Sequence, residues 1–145
     1  MKAFLDTNIL LDLLLEREGY EISAEILQLK DDGRIELCVS ILTMINIAYI
    51  YRKTVGQNIV IPNLKYISSL MKVLPMDEGI LQQALYLESK DFEDTLQYLC
   101  AARGECDCVI TRNVKDFQIK PGLSTTPALP PAYTPEEFYQ LHNKG

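Results

Sequence analysis

The sequence predicts an α/β fold, in which a short, mostly parallel central sheet is flanked by helices. Short apolar strings of strand type alternate with stretches that keep apolar residues at helical spacing. Strand also passes into helix with almost no loop, as in KAFLD followed at once by TNILLDLLLER. A chain of 145 residues with 48% apolar content is the size of one globular domain, so residues 1–145 are expected to form a single unit.

KAFLD reads as the first strand, and Ile9, Leu10, Leu13 and Leu14 give the next stretch one apolar helical face. YEISAEILQLKDDG carries Ile22, Ile26, Leu27 and Leu29 on a helical pattern that stops at Gly33. RIELCVS then alternates as a strand, and Ser40 is placed to cap a helix beginning near Ile41. A further helix is expected over about Asn63 to Lys72, with VLPM as a brief strand ended by Pro75. DEGILQQALYLES and DFEDTLQYLCAARG are helical patterns, capped by Asp77 and Asp91, the second stopping at Gly104. DCVIT is a strand of the buried type. The string from Arg112 to Tyr133, rich in Pro, Gly and Thr, is expected to be largely loop before TPEEFYQLHNK restarts a helix, with Thr134 as cap and Pro135 in first place.

Composition narrows the function. No apolar run approaches the ~20 residues of a membrane span, and the opening MKAFLD lacks a secretory pattern, so a soluble, cytoplasmic protein without membrane contact is expected. Cys38, Cys100, Cys106 and Cys108 are then expected to be reduced, and Cys106 and Cys108 lack the CxxC mate of a zinc site. A net charge of −6 excludes nucleic-acid binding through a general basic surface. A nucleic-acid substrate would need positive charge from a bound divalent cation or a basic partner, and carboxylates then become ligands.

Ligands in open parallel sheets gather at the carboxyl ends of the strands. Asp6 ends the first strand, Thr111, Asn113 and Asp116 follow the strand DCVIT, and Asp94 lies in the first turn of the helix that feeds it. Each acid also has a structural role open to it. Asp6 is placed to cap the helix at Thr7, Asp91 and Asp94 are spaced as an N-cap and its third-position partner, and Asp116 suits a turn. Asp12, Glu16 and the KDDG pair read as solvated helix faces or ends. An aspartyl-phosphate enzyme would place a second acid two residues after Asp6, where this chain has Asn8.

Taken together, FLDTNILLDLL, Ser40 and Thr43 leading into an apolar helix, DFEDTLQYLCA, ITRNVKDF and the terminal TPEEFYQL resemble the PIN domain. The resemblance is to the branch that includes VapC-like toxins of toxin–antitoxin pairs, and it covers essentially the whole chain in order. It implies a PIN-like fold with a central parallel sheet, a Mg2+- or Mn2+-dependent endoribonuclease acting on RNA, a homodimer, and inhibition by a cognate antitoxin.

Carried over by motif, Asp6 is the first acidic metal ligand, Asp94 the third, and Asp116 the acid available at the last position, where Asn113 stands at a site often occupied by Asp. The resemblance thus implies Asp6, Asp94 and Asp116 as catalytic metal ligands, holding a cation that activates water for in-line attack on the phosphodiester. Asn8, Asn46, Asp91, Thr111 and Asn113 would support them, and Arg112 and Lys115 would contact phosphate. The family's second acid falls on Asn46, in the apolar stretch ILTMINIAYIYRK, and this amide is expected to point into the acid cluster. With Asn at 46 and 113 the expected cluster is less negative, its metal site weaker and its activity reduced. The alternative is a metal-impaired RNA- or protein-binding module without appreciable turnover. Tyr49 and Tyr51 are candidate anchors for a homodimer or antitoxin contact.

Overall fold

The structure, a computed structural model, describes residues 1–118 and 128–143. Strand β1 (Lys2–Leu5) runs directly into α1 (Thr7–Leu15), and α2 (Tyr20–Asp31) leads to β2 (Glu36–Ser40). Helix α3 (Ile41–Thr54) follows without a loop, then α4 (Val60–Leu70), β3 (Lys72–Leu74), α5 (Glu78–Leu87), α6 (Phe92–Arg103), β4 (Cys108–Ile110), β5 (Ala132–Tyr133) and α7 (Pro135–His142). The five strands form one sheet in the order β3-β2-β1-β4-β5, with every pairing parallel. This is the predicted α/β architecture. No helix among the described residues is long and apolar enough to cross a membrane.

The alternation of side chains along the strands divides the core in two. Ala3, Leu5, Leu37, Val39, Cys108 and Ile110 face the helices α1, α2, α3, α4 and α7. Phe4, Cys38 and Val109 face α5 and α6. Both sheet faces are therefore covered, which is why the strands read as continuous apolar strings and not as an apolar/polar alternation. All four cysteines are buried free thiols within or beside these strands and α6.

The predicted caps form at Ser40, Asp77, Asp91 and Thr134, whose side chains accept the backbone N–H groups of Thr43, Ile80, Asp94 and Glu137. Thr134 completes a capping box with Glu137, and Pro135 opens α7. Three boundaries differ from expectation. Helix α4 begins at Val60, ahead of Pro62, because a proline in the first helical turn gives up no intrahelical hydrogen bond. Strand β3 covers Lys72–Leu74 and ends before Pro75. The expected loop contains a 3-10 turn at Val114–Phe117 and the strand β5, while its residues 119–127 lie outside the described residues. Strand β5 is legible only from its partner: the N–H groups of Val109 and Thr111 donate to Pro131 and Tyr133 carbonyls, so its prolines are not asked for donors there.

Four buried polar side chains join the elements that meet at the carboxyl edge of the sheet. Ser40 donates to Gln97 Oε1 at 2.6 Å, and Gln97 Nε2 donates to Thr7 and Thr43 at 3.1 and 3.0 Å. The Thr7 and Thr43 hydroxyls lie 2.8 Å apart. All four residues are buried, so each hydrogen bond is made where water cannot replace it. Gln97→Leu, which keeps the volume and removes three of these bonds, is expected to lower unfolding free energy by about 2–3 kcal/mol in chemical denaturation. A loss of under about 0.5 kcal/mol would show that the cluster does not hold the helices together.

Candidate metal centre

Asp6 leaves β1 at the carboxyl edge of the sheet, and its backbone N–H donates to Ile110 of β4 at 3.0 Å. Its carboxylate makes no capping bond to α1. Instead Oδ2 accepts the Thr111 hydroxyl at 2.9 Å, and Thr111 Oγ1 in turn accepts the Asn113 backbone N–H at 3.0 Å. Asp6 is 5% exposed, and this burial pushes its carboxyl above the usual range, against the Thr111 hydrogen bond. Asn8 is half-buried on the first turn of α1, one residue beyond Thr7.

Helix α6 starts at the same edge because its cap, Asp91, accepts the Asp94 N–H at 3.0 Å. That bond sets the first turn and brings the Asp91 and Asp94 carboxylates together. Asp116 arrives from the 3-10 turn after β4, held there by the buried ring of Phe117, which meets Tyr98 of α6 edge to face at 5.4 Å. Ligand atoms of Asp91, Asp94 and Asp116 all lie within 4.8 Å of one another. Asp6 stands outside this trio, yet its charge acts on Asp94. Burial, with the negative charges of Asp6 and Asp91, raises the Asp94 carboxyl to about 7.

Three carboxylates at that spacing repel, and a proton or a cation must relieve them. Their hard oxygen donors fit a divalent cation of the Mg2+ or Ca2+ type better than a soft metal. Asp91, which the sequence placed among the supporting residues, caps α6 and is at the same time one of the trio.

The expectation of a depleted acidic set and reduced activity is corrected here, because Asp91, Asp94 and Asp116 supply a complete trio of acids despite Asn46 and Asn113. Asn46 Nδ2 donates to Glu93 Oε1 at 2.5 Å, so its partner is an acid that the sequence reading passed over. Glu93 immediately precedes Asp94 on α6, and its charge also acts on Asp6. Asn46 is half-buried and this bond is exposed, so the amide lies at the rim of the helix contact and not in the hydrocarbon that its apolar string suggests.

Two further expectations are corrected. Asp12 is not on a solvated face: it is 4% exposed and paired with Arg112 and Arg17. Tyr51 belongs to the core and offers no contact surface, whereas Tyr49 is exposed beneath the Lys53 and Arg52 side chains. Arg112 and Lys115 are both exposed beside the turn that carries Asp116.

Residues 2–115 match the PIN domain family. The chain is similar to Ribonuclease VapC1 of Aquifex aeolicus (strain VF5), at 24% identity over 122 residues, covering 80% of this chain and 83% of the relative. Its fold is shared with VapBC-1 from nontypeable Haemophilus influenzae, at a TM-score of 0.68 and 21% identity over 94% of this chain and 99% of the other. A toxin–antitoxin complex from Klebsiella pneumoniae gives a TM-score of 0.60 at 23% identity, over 85% and 96% of the two chains.

The raised Asp94 carboxyl has a pH signature. Unfolding returns this group to its ordinary value near 3.8, so between about 4 and 7 the folded state holds more protons, and metal-free stability falls as pH rises through that window. Thermal melts from pH 5 to 8 should show this decline, with added Mn2+ reversing it most at pH 8, where the trio is ionised. A melting profile that rises over the same interval and ignores Mn2+ would remove the assignment.

Proposed function

The chain belongs to the PIN domain family, and we propose that it is a Mg2+- or Mn2+-dependent endoribonuclease, the toxin of a VapBC-like toxin–antitoxin pair. The observation that carries this reading is the acidic trio at the carboxyl edge of the sheet, with Asp6 acting on it from β1. The name of the Aquifex aeolicus relative and the toxin–antitoxin composition of the similar structures support the activity and the partner class. The substrate is RNA in the cytoplasm, and residues 1–145 act as one domain.

In the proposed reaction Asp94 and Asp116, with Asp91 completing the trio, would hold the cation, and Asp6, buried and acting on Asp94 by charge, would join as the catalytic ligand from β1. A bound divalent cation supplies charge to offset the phosphodiester and makes water a better nucleophile at neutral pH. Asp94, whose carboxyl is raised in the metal-free chain by burial and by the charges of Asp6 and Asp91, would give up its proton as the cation binds, so that metal binding releases a proton at neutral pH. Thr111 holds Asp6 in one orientation through its hydroxyl, and Asn113 holds Thr111 in turn through its backbone. Asn46 orients Glu93, and Asn8 lines the start of α1 beside Asp6. Arg112 and Lys115 face solvent next to Asp116, where phosphate oxygens would be met by charge that the chain as a whole lacks.

Partner binding is supported by one helix face. Ile41, Ile45 and Tyr49 follow one another at four-residue spacing on α3 and remain 43%, 60% and 50% exposed. Such a stripe suits a second copy of the chain or the antitoxin.

Purified protein free of antitoxin should cleave RNA when Mn2+ is added and stop when it is chelated. Asp6→Asn and Asp94→Asn are each expected to lower the rate by about a hundredfold or more. Equal cleavage by wild type and both variants would trace the activity to a contaminating nuclease.

A further inference from the structure

Helix α1 is apolar from Ile9 to Leu15 except at one position, Asp12. Leucines flank it on both sides, so an apolar residue would fit the helix pattern. An ionised carboxylate buried there costs several kcal/mol unless it is well paired, and a buried ion pair is a poor source of net stability. A buried acid at this position therefore suits a role other than stability.

The Asp12 side chain is 6% exposed and meets two arginines. Arg17 Nη1 stands 3.9 Å from Oδ1, beyond hydrogen-bond reach, and that oxygen has no hydrogen-bond partner among the described residues. Arg112 Nε lies 3.2 Å from Oδ2. The ion pair with Arg112 is thus the closer of the two; its nearest approach is at the inner nitrogen of the guanidinium, and the Nη groups keep their N–H donors for another partner.

The surroundings of Arg112 give the anchor its consequence. Arg112 directly follows Thr111, the residue bonded to Asp6, and its positive charge acts on Asp6. Asp94, Asp116 and Glu93 add further carboxylates around the same edge. A long arginine beside so many acids would be drawn among them and would compete with a cation. Yet the one ion pair that Arg112 makes among the described residues is with Asp12, and with none of these acids.

We propose that Asp12 is a positioning residue that tethers Arg112 through Nε, keeping the guanidinium out of the acidic pocket and presenting its Nη groups to an RNA phosphate beside it. The proposal rests on the nuclease reading and deepens it by assigning how phosphate recognition is kept apart from cation binding.

The test is a double-mutant cycle over Asp12→Asn, Arg112→Ala and the pair, read by Mn2+ calorimetry and by anisotropy of a fluorescein-labelled single-stranded RNA with calcium as the only divalent ion. Asp12→Asn should weaken Mn2+ binding about tenfold, since a released guanidinium competes for the carboxylates, and adding Arg112→Ala should restore it. A merely structural loss would not be rescued by deleting a second side chain. RNA affinity should fall about tenfold in either single variant and no further in the pair. Unchanged Mn2+ and RNA affinities in Asp12→Asn, additive losses in the pair, or no measurable RNA binding by wild type would each overturn the proposal. If Asp12→Asn does not fold, Arg112→Lys decides: it keeps the charge but loses the fork, so it should bind RNA as weakly as Arg112→Ala, and wild-type affinity would overturn the tether. Failure of the nuclease reading is distinct: wild type would bind no Mn2+ and cut no RNA, and the RNA measurements would still decide the role of Asp12.

Discussion

The structure turns on a dry polar knot beneath the sheet edge, in which one amide, that of Gln97, satisfies hydroxyls from three other segments. Thr7 follows Asp6, Ser40 ends β2 and caps α3, Thr43 lies one turn before Asn46, and Gln97 lies one turn after Asp94. Thr7 and Gln97 are therefore near neighbours in sequence of Asp6 and Asp94, and tie those two acids to one scaffold. Buried as they are, these hydrogen bonds tolerate little displacement, since a stretched bond leaves a buried donor or acceptor without a partner. The carboxylates above can repel one another because the scaffold below does not yield.

This scaffold lets an acidic chain concentrate carboxylates at one edge of its sheet. Burial raises Asp6, and burial with neighbouring negative charges raises Asp94, so the folded chain stores electrostatic repulsion that a cation relieves. Asp91 illustrates how few residues are needed: one side chain both accepts the Asp94 N–H in the first turn of α6 and lies among the carboxylates. Cap and candidate ligand are compatible because a carboxylate has two oxygens with several lone pairs between them.

The fold was legible where local chemistry decides the outcome. Ser40, Asp77, Asp91 and Thr134 announced their helices because a short polar side chain before an apolar periodic run satisfies free backbone donors in almost any tertiary setting. Strand β5 was hidden because two residues among prolines have no period of their own and owe their conformation to β4. The convergence of Asp94 with Asp116 followed from strand-end reasoning, but the place of Glu93 did not, since it depends on how α3 and α6 face each other across the sheet edge. Asp12 was misread for a related reason. A charged residue in an amphipathic helix ordinarily faces water, and only the fold shows that both sides of this helix are covered.

The two outer strands carry a separate consequence. Strand β3 has three residues and β5 only two, the latter entered through prolines, so neither margin offers a ladder long enough to template a neighbouring chain. Margins this short disfavour strand addition between copies, and with it fibre growth along the sheet.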